Sequence, residues 1–178
     1  MITNSIIDCL NTVDFSNFIK LRTLNVTDSL IEQIFCPHSD VNILNNIEHL
    51  NMTNNRLQYL GQSLSKLNKL KSLDLSNNLL TEHQRPDHFQ TLPMSLETLV
   101  LTHNPWTCVP ALTWVYHLAL DRPHLHPDLR QIQCRIKDSY QRALLIGNYS
   151  SNVQFVSKVS YTYACNNDVL VVIKRGTI

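Results

Sequence analysis

Glycine is scarce in this chain: 178 residues hold three, Gly61, Gly147 and Gly176, far apart. Loops that cradle a phosphate need closely spaced glycines so that backbone N–H groups can reach the ligand, so neither a dinucleotide fingerprint nor a P-loop can be built. Charge is sparse too. Charged residues make up 16%, fifteen basic against fourteen acidic, for a net charge of +1. With no basic run, nothing draws the chain electrostatically to nucleic acid or an anionic membrane. None of the five cysteines forms a CxxC, which leaves zinc-ribbon and thioredoxin chemistry without support. The eight histidines fall into no HExxH motif and no array with ligand spacing, and there is no GxSxG. His124 and His126, one residue apart among prolines, suggest an exposed loop and make a poor metal site. No run approaches the roughly 18 apolar residues of a membrane helix. The opening MITNSIIDCL has no basic n-region and is interrupted by Asp8 and Asn11, unlike a signal peptide. These absences point away from an enzyme, a cofactor, a small-molecule substrate or a nucleic-acid partner. Membrane attachment would need a segment absent from this chain.

What the chain has is repetition. LRTLNVTDSLI from Leu21, IEHLNMTNNRL from Ile47, LKSLDLSNNLL from Leu70 and LETLVLTHNPW from Leu96 share the frame LxxLxLxxNxL, with starts 26, 23 and 26 residues apart. Ser29 takes the Asn place in the first, and Trp106 the last apolar place in the fourth. These periods fall within those of leucine-rich repeats. The frame predicts an α/β solenoid: a horseshoe segment with parallel concave strands, short irregular convex segments and a C-terminal cap containing an α-helix. Side chains alternate along the LxL strand, so its leucines point inward and stack with those of neighbouring turns into one core. The Asn position lies where the chain leaves the strand, and an amide there can donate to and accept from the backbone of adjacent turns. Ser29, Asn55, Asn78 and Asn104 are expected to form this ladder. Asn78→Leu should then destabilise, whereas Asn77→Leu, directed outward, should change little.

The convex segments supply further inward residues: Phe15, Phe18 and Ile19, then Leu60, Leu64 and Leu67, then Phe89 and Leu92. One repeat before Leu21, Ile2 falls in a strand, Ser5 at the ladder position, and Ile7 and Leu10 at late apolar positions. The chain is thus expected to begin inside a repeat, as a fragment lacking an N-terminal lid; a degenerate first turn serving as its own lid is the alternative. Cys9 and Cys36 sit in neighbouring repeats but out of register, so they read as small buried apolar residues.

After the fourth repeat, NPWTCVPALTWV (Asn104 to Val115) resembles the cysteine-rich C-terminal flank of extracellular leucine-rich-repeat proteins, a group that includes Toll-like receptors and many insect cell-surface proteins. The likeness spans repeats from about Ile2 to Trp106 and a flank from Asn104 to Cys165. It divides the chain into repeats over 1–103, a cap over 104–165 and a tail over 166–178. Within the flank, Pro110 suits a first helical turn, and Ala111, Trp114, Val115 and Leu118 share one face of a helix that Asp121-Arg122-Pro123 ends. Four cysteines, paired first to third and second to fourth, mark the family pattern. Cys108 matches the first, Cys134 the third and Cys165 the fourth; Pro110 stands where the second would be. The resemblance therefore implies a Cys108–Cys134 disulfide and leaves Cys165 without its expected partner, with two reduced thiols as the alternative.

A disulfide cap implies an oxidising compartment, and three sequons agree: Asn25, Asn51 and Asn148. Across the repeats the second positions read Arg22, Glu48, Lys71 and Glu97, an alternating ladder best read as a solvated face that ties itself together. Between the inward strand residues stand Asn25, Asn51, Asp74 and Val100, and next outward Thr27, Thr53, Ser76 and Thr102. Glycans at Asn25 and Asn51 would shift a protein ligand to the later repeats, so the candidate concave surface is Asp74, Ser76, Val100, Thr102 and His103, with a lateral edge as the other choice. The sequence thus reads as a protein-recognition or adhesion module, part of the ectodomain of a cell-surface or secreted protein. An intracellular, cytoplasmic repeat scaffold for protein–protein interaction is the alternative, and an enzyme whose catalytic domain lies upstream a more distant one.

Overall fold

A computed structural model of the chain describes residues 2–3, 9–11, 15, 20–37, 40, 44–60, 63–81, 92–108, 112–135, 142–144, 160–166 and 169–175. Five short strands form one parallel sheet: β1 (Ile2–Thr3), β3 (Thr23–Thr27), β5 (His49–Asn51), β6 (Ser72–Asp74) and β7 (Thr98–Val100), in that spatial order. Each strand is one turn further along the stack. The register is one-to-one: Leu24, Leu50, Leu73 and Leu99 align across β3, β5, β6 and β7, as do Asn25, Asn51, Asp74 and Val100.

Side chains alternate as the frame requires. Leu24, Leu50, Leu73 and Leu99 point into the core, joined by Val26, Met52, Leu75 and Leu101 in the next inward column. The last apolar place settles the frame. Ile31 and Leu80 are 0% exposed, whereas Leu30 and Leu79 beside them are 40% and 44% exposed. A one-residue slip would reverse these pairs. Complete burial of such a side chain contributes about 1.5–3 kcal/mol before chain entropy is counted.

On the convex side, a 3-10 turn over Ser63–Lys66 carries the buried Leu64, and Leu67 follows it into the core. Leu60 and Leu92 are buried as well, and Phe15 packs partly against the same cluster. Phe18, Ile19 and Phe89 lie outside the described residues.

Here the structure corrects the reading of two cysteines. The short strands β2 (Cys9–Leu10) and β4 (Gln33–Phe35) pair in parallel away from the main sheet, and Cys9 and Cys36 are joined in a disulfide with Cα atoms 4.9 Å apart. Their separation is 27 residues, one more than the 26 between repeat starts at Leu21 and Ile47. The register shifts between Cys9 and Leu10, and this irregularity brings together positions that concave-strand counting keeps apart.

Past β7 the chain forms α1 (Thr113–Asp121), a 3-10 turn (Pro123–Leu125), a one-turn α2 (His126–Leu129), and β8 (Gln133–Arg135) antiparallel to β9 (Arg142–Leu144). The helix covers most of the expected span but begins two residues later; Pro110 and Ala111 lie outside the described residues. Trp114, Val115 and Leu118 are buried on its inner face. Trp106 meets Trp114 edge-on with ring centroids 5.8 Å apart, and its indole N–H donates to Leu101 O at 3.0 Å. Cys108 and Cys134 form the second disulfide, and Cys108 N–H donates to Arg135 O as Arg135 N–H donates to Trp106 O. Strands β10 (Ser160–Asn166) and β11 (Val169–Arg175) form an antiparallel hairpin. The expected cap–tail division at 165/166 falls inside that hairpin, where in-register pairing sets Asn166 opposite Val169.

Candidate recognition surface

The sheet presents its outward columns on a scaffold that the ladder fixes. Asn78 shows how. Its amide nitrogen donates to Met52 O of the preceding turn at 2.9 Å and to Leu75 O and Ser76 O of its own, while its Oδ1 accepts Leu57 N–H at 3.0 Å. Asn55 repeats the pattern with Val26 O, Met52 O, Thr53 O and Ile31 N–H. Asn104 does so with Leu75 O, Leu101 O, Thr102 O and Leu80 N–H. Ser29 is buried and donates to Thr27 O within its own turn. A hydroxyl is shorter than the amide and has one donor where the amide has two.

One residue before each ladder position the backbone is left-handed: Asp28, Asn54, Asn77 and His103 have φ of 54°, 58°, 53° and 57°. This conformation turns the chain out of the strand, and the N–H groups of Asp28, Asn54 and Asn77 donate to Thr53 O, Ser76 O and Thr102 O of the following turn. The expectation that Asn77→Leu would change little is therefore overturned. Its side chain is exposed, but leucine in this region costs about 1–2 kcal/mol because Cβ crowds the carbonyl. Asp and Asn tolerate it, and three of the four occupants are of that kind, a signal already present in the sequence.

The charge ladder is partly closed. Glu48 accepts from Arg22 Nη1 at 3.2 Å and from Lys71 Nζ at 2.8 Å. The Lys71 hydrogen bond chiefly holds the Glu48 carboxyl below its usual pKa, and the same bond raises that of Lys71. Alternation also puts a column that the sequence reading passed over on the outward face: Thr23, His49, Ser72 and Thr98, aligned across the strands. The two-residue period that assigned Asn25 and Asn51 applies to it equally.

The expected binding residues separate on inspection. Asp74, Val100 and Thr102 are half-buried and His103 is exposed. Ser76 is buried, with its hydroxyl donating to Asp74 Oδ1 at 2.7 Å, so it is not available as a contact. Asp74 Oδ1 also accepts Ser76 N–H, forming an Asx turn, and Asn51 does the same with Thr53 N–H and Thr53 Oγ1. In the same column Thr27 is buried and Thr53 half-buried. Asn25 and Asn51 lie side by side, half-buried, on adjacent strands; Asn148 lies outside the described residues.

Three cap side chains, none expected from the sequence to bond to the repeats, reach back to the end of the stack. Asp128 Oδ2 accepts Leu99 N–H at 3.0 Å, and His124 Nε2 lies 2.8 Å from Leu96 O. His124 is exposed as expected, yet it is anchored to the sheet rather than carried on a loose loop. The buried Arg122 guanidinium donates to Leu92 O at 2.7 Å and Pro93 O at 2.9 Å, tying the cap to the segment that leads into the fourth turn. Burial lowers its pKa, an effect that Asp121 offsets in part. Among the described residues no cluster of three or more His, Cys, Asp or Glu could hold a metal, and no helix is long and apolar enough to cross a membrane.

A family model described as Leucine Rich Repeat matches residues 69–92, nearly the whole of the third repeat. No curated protein matches. Among solved structures, a chain of the octameric complex of Latrophilin 3, Unc5D and FLRT2, to which FLRT2 contributes the leucine-rich repeats, is 21% identical with a TM-score of 0.51; the match covers 69% of this chain and 34% of that one. The ectodomain of the receptor kinase SOBIR1 from Arabidopsis thaliana is 23% identical with a TM-score of 0.42, covering 56% and 51%. A leucine-rich-repeat protein of Leptospira interrogans is 24% identical with a TM-score of 0.43, covering 58% and 30%. This chain thus spans between about a third and a half of the length of these proteins. Its fold is a leucine-rich-repeat solenoid.

Proposed function

We propose that the chain is a protein-recognition module rather than a catalyst, part of the ectodomain of a cell-surface or secreted leucine-rich-repeat protein. The observation that carries this reading is the pair of disulfides. Cys9–Cys36 ties two turns together and Cys108–Cys134 closes the cap, and such crosslinks persist in oxidising compartments. The sequons at Asn25, Asn51 and Asn148 accord with this location. The ladder holds the outward columns rigid, so a protein ligand meets preorganised side chains and loses little entropy in ordering them. On the concave face the residues offered to such a ligand are Asp74, Val100, Thr102 and His103. The solved complex containing FLRT2 is a protein assembly, which suits this reading of the same fold.

Non-reducing peptide mapping of the protein secreted from eukaryotic cells tests it. Linked Cys9/Cys36 and Cys108/Cys134 peptides are expected, with a glycosidase-sensitive mass on at least one sequon. Four free thiols in a fully folded protein would favour an intracellular scaffold instead.

A further inference from the structure

Immediately after the ladder position, each turn exposes one side chain while the next residue is buried. Successive turns place Leu30, Arg56, Leu79 and Pro105 there, all exposed, beside the buried Ile31, Leu57, Leu80 and Trp106. Backbone bonds hold the first three in line: Arg56 N–H donates to Ile31 O at 2.8 Å and Leu79 N–H to Leu57 O at 2.9 Å. Leu30 and Leu79 are two of five large hydrophobic side chains exposed among the described residues. A lone exposed leucine means little. Here two occupy the same place in the frame, on either side of a guanidinium for which no ion pair is found among the described residues. Elsewhere the charges are managed differently, since Arg22 and Lys71 both close on Glu48.

We propose that this lateral rim docks an extended, mainly apolar segment of a partner protein that carries a single acidic residue, with its carboxylate on Arg56 and apolar side chains over Leu30 and over Leu79 and Pro105. The inference rests on the recognition role above and moves the principal contact from the concave columns to the edge. Charge complementarity selects the occupant. Arginine binds a carboxylate through two parallel N–H bonds, and flanking apolar contacts exclude water from that pair. Strand spacing sets the scale: neighbouring turns lie about 4.8 Å apart, so the leucines flank Arg56 across about 10 Å. An extended chain running along the stack covers that distance in about three residues, each rising about 3.3 Å. Such a ligand would carry one acidic residue between apolar ones. Glu32, two residues past Leu30 in the chain, is exposed and disfavours a second carboxylate near that end of the segment.

The test is panning of the folded 178-residue chain against a displayed library of random linear peptides, followed by titration of the enriched peptides as synthetic probes. Enriched peptides should share an acidic residue flanked by apolar ones. Arg56→Glu should weaken their binding by about tenfold or more, and a peptide with its acid changed to lysine should recover it. Leu30→Ser with Leu79→Ser should weaken binding similarly, while Leu120→Ser, at an exposed leucine of the cap helix, leaves it unchanged; unaltered thermal unfolding establishes that the variants fold. Peptides that respond to Asp74→Ala or His103→Ala and not to the rim variants overturn this inference but leave the recognition role standing. Failure to enrich any such peptide overturns it too. So does poor hydroxyl-radical labelling of Leu30 and Leu79 in the free chain, which would mean that the chain covers its own rim.

Discussion

The repeat stack and the cap solve one problem in two ways. Each turn leaves a parallel strand with open hydrogen-bonding groups and an apolar face. Inside the stack the next turn satisfies both by translation. Asn55, Asn78 and Asn104 each make the same set of bonds to the same places in the frame. At the cap no further copy follows, and single side chains take over: Asp128 for Leu99 N–H, His124 at Leu96 O, Arg122 for Leu92 O and Pro93 O. A periodic stack spreads its stability over many equal contacts, whereas the cap concentrates it in a few that have no duplicates.

Four perturbations break or sharpen that contrast. The largest effect is expected from Cys108→Ser with Cys134→Ser. Their crosslink spans 26 residues, and its loss should cost about 3–4 kcal/mol in the chain-entropy model, read as a lowered denaturant midpoint. If the cap's disulfide mattered no more than a surface contact, the midpoint would hold. Next comes Arg122→Met, which strands the Leu92 carbonyl and leaves Pro93 O with Leu96 N–H alone, and should cost about 2–3 kcal/mol. Hydrogen exchange should then rise around Leu96 to Leu101 before it rises at Leu50; uniform loosening of every turn would erase the distinction between cap and stack.

Within the stack, Asn78→Leu should cost about 1–3 kcal/mol by removing the ladder amide. Asn77→Leu should cost about 1–2 kcal/mol by backbone crowding alone. Glycine separates the two causes: Asn77→Gly should be close to neutral and Asn78→Gly should not, as thermal unfolding would report. Equal losses from the two glycine variants would contradict the assigned roles. The smallest effect concerns the exposed Arg22–Glu48–Lys71 trio. The depressed Glu48 pKa means stability that is present above the unfolded carboxyl pKa and lost as pH falls through the native one; the raised Lys71 pKa means stability present below the unfolded lysine pKa and lost as pH rises through the native one. Glu48→Gln should flatten both limbs of a stability–pH curve slightly at low salt and not at high salt. Identical curves for the two proteins would leave the trio without energetic weight.

Repetition decided which of these features the sequence disclosed. Four copies of one frame identify Leu24, Leu50, Leu73 and Leu99 as core and place Asn55, Asn78 and Asn104 without any coordinates, because a period is its own control. The left-handed column was legible in its residue types, Asp28, Asn54 and Asn77, but the frame gives inward or outward only and says nothing of φ. Ser76 was misplaced for a related reason: alternation puts it outward, and a local bond to Asp74 turns it in. The Cys9–Cys36 link escaped because it lies across a register irregularity on the convex side, where segment lengths differ from turn to turn. Arg122 and Asp128 had no signal at all. Each acts on residues about thirty positions earlier in the chain, through contacts made once.

The Asp128 bond to Leu99 has a bearing on how molecules of this protein treat one another. A parallel sheet that ended on bare amides would be a template for the first strand of another copy, and successive copies could join head to tail without limit. A carboxylate already seated on that amide, with an imidazole at the carbonyl of Leu96, denies an arriving strand those two groups. The cap is in this sense a stop to polymerisation at that edge, written in two side chains.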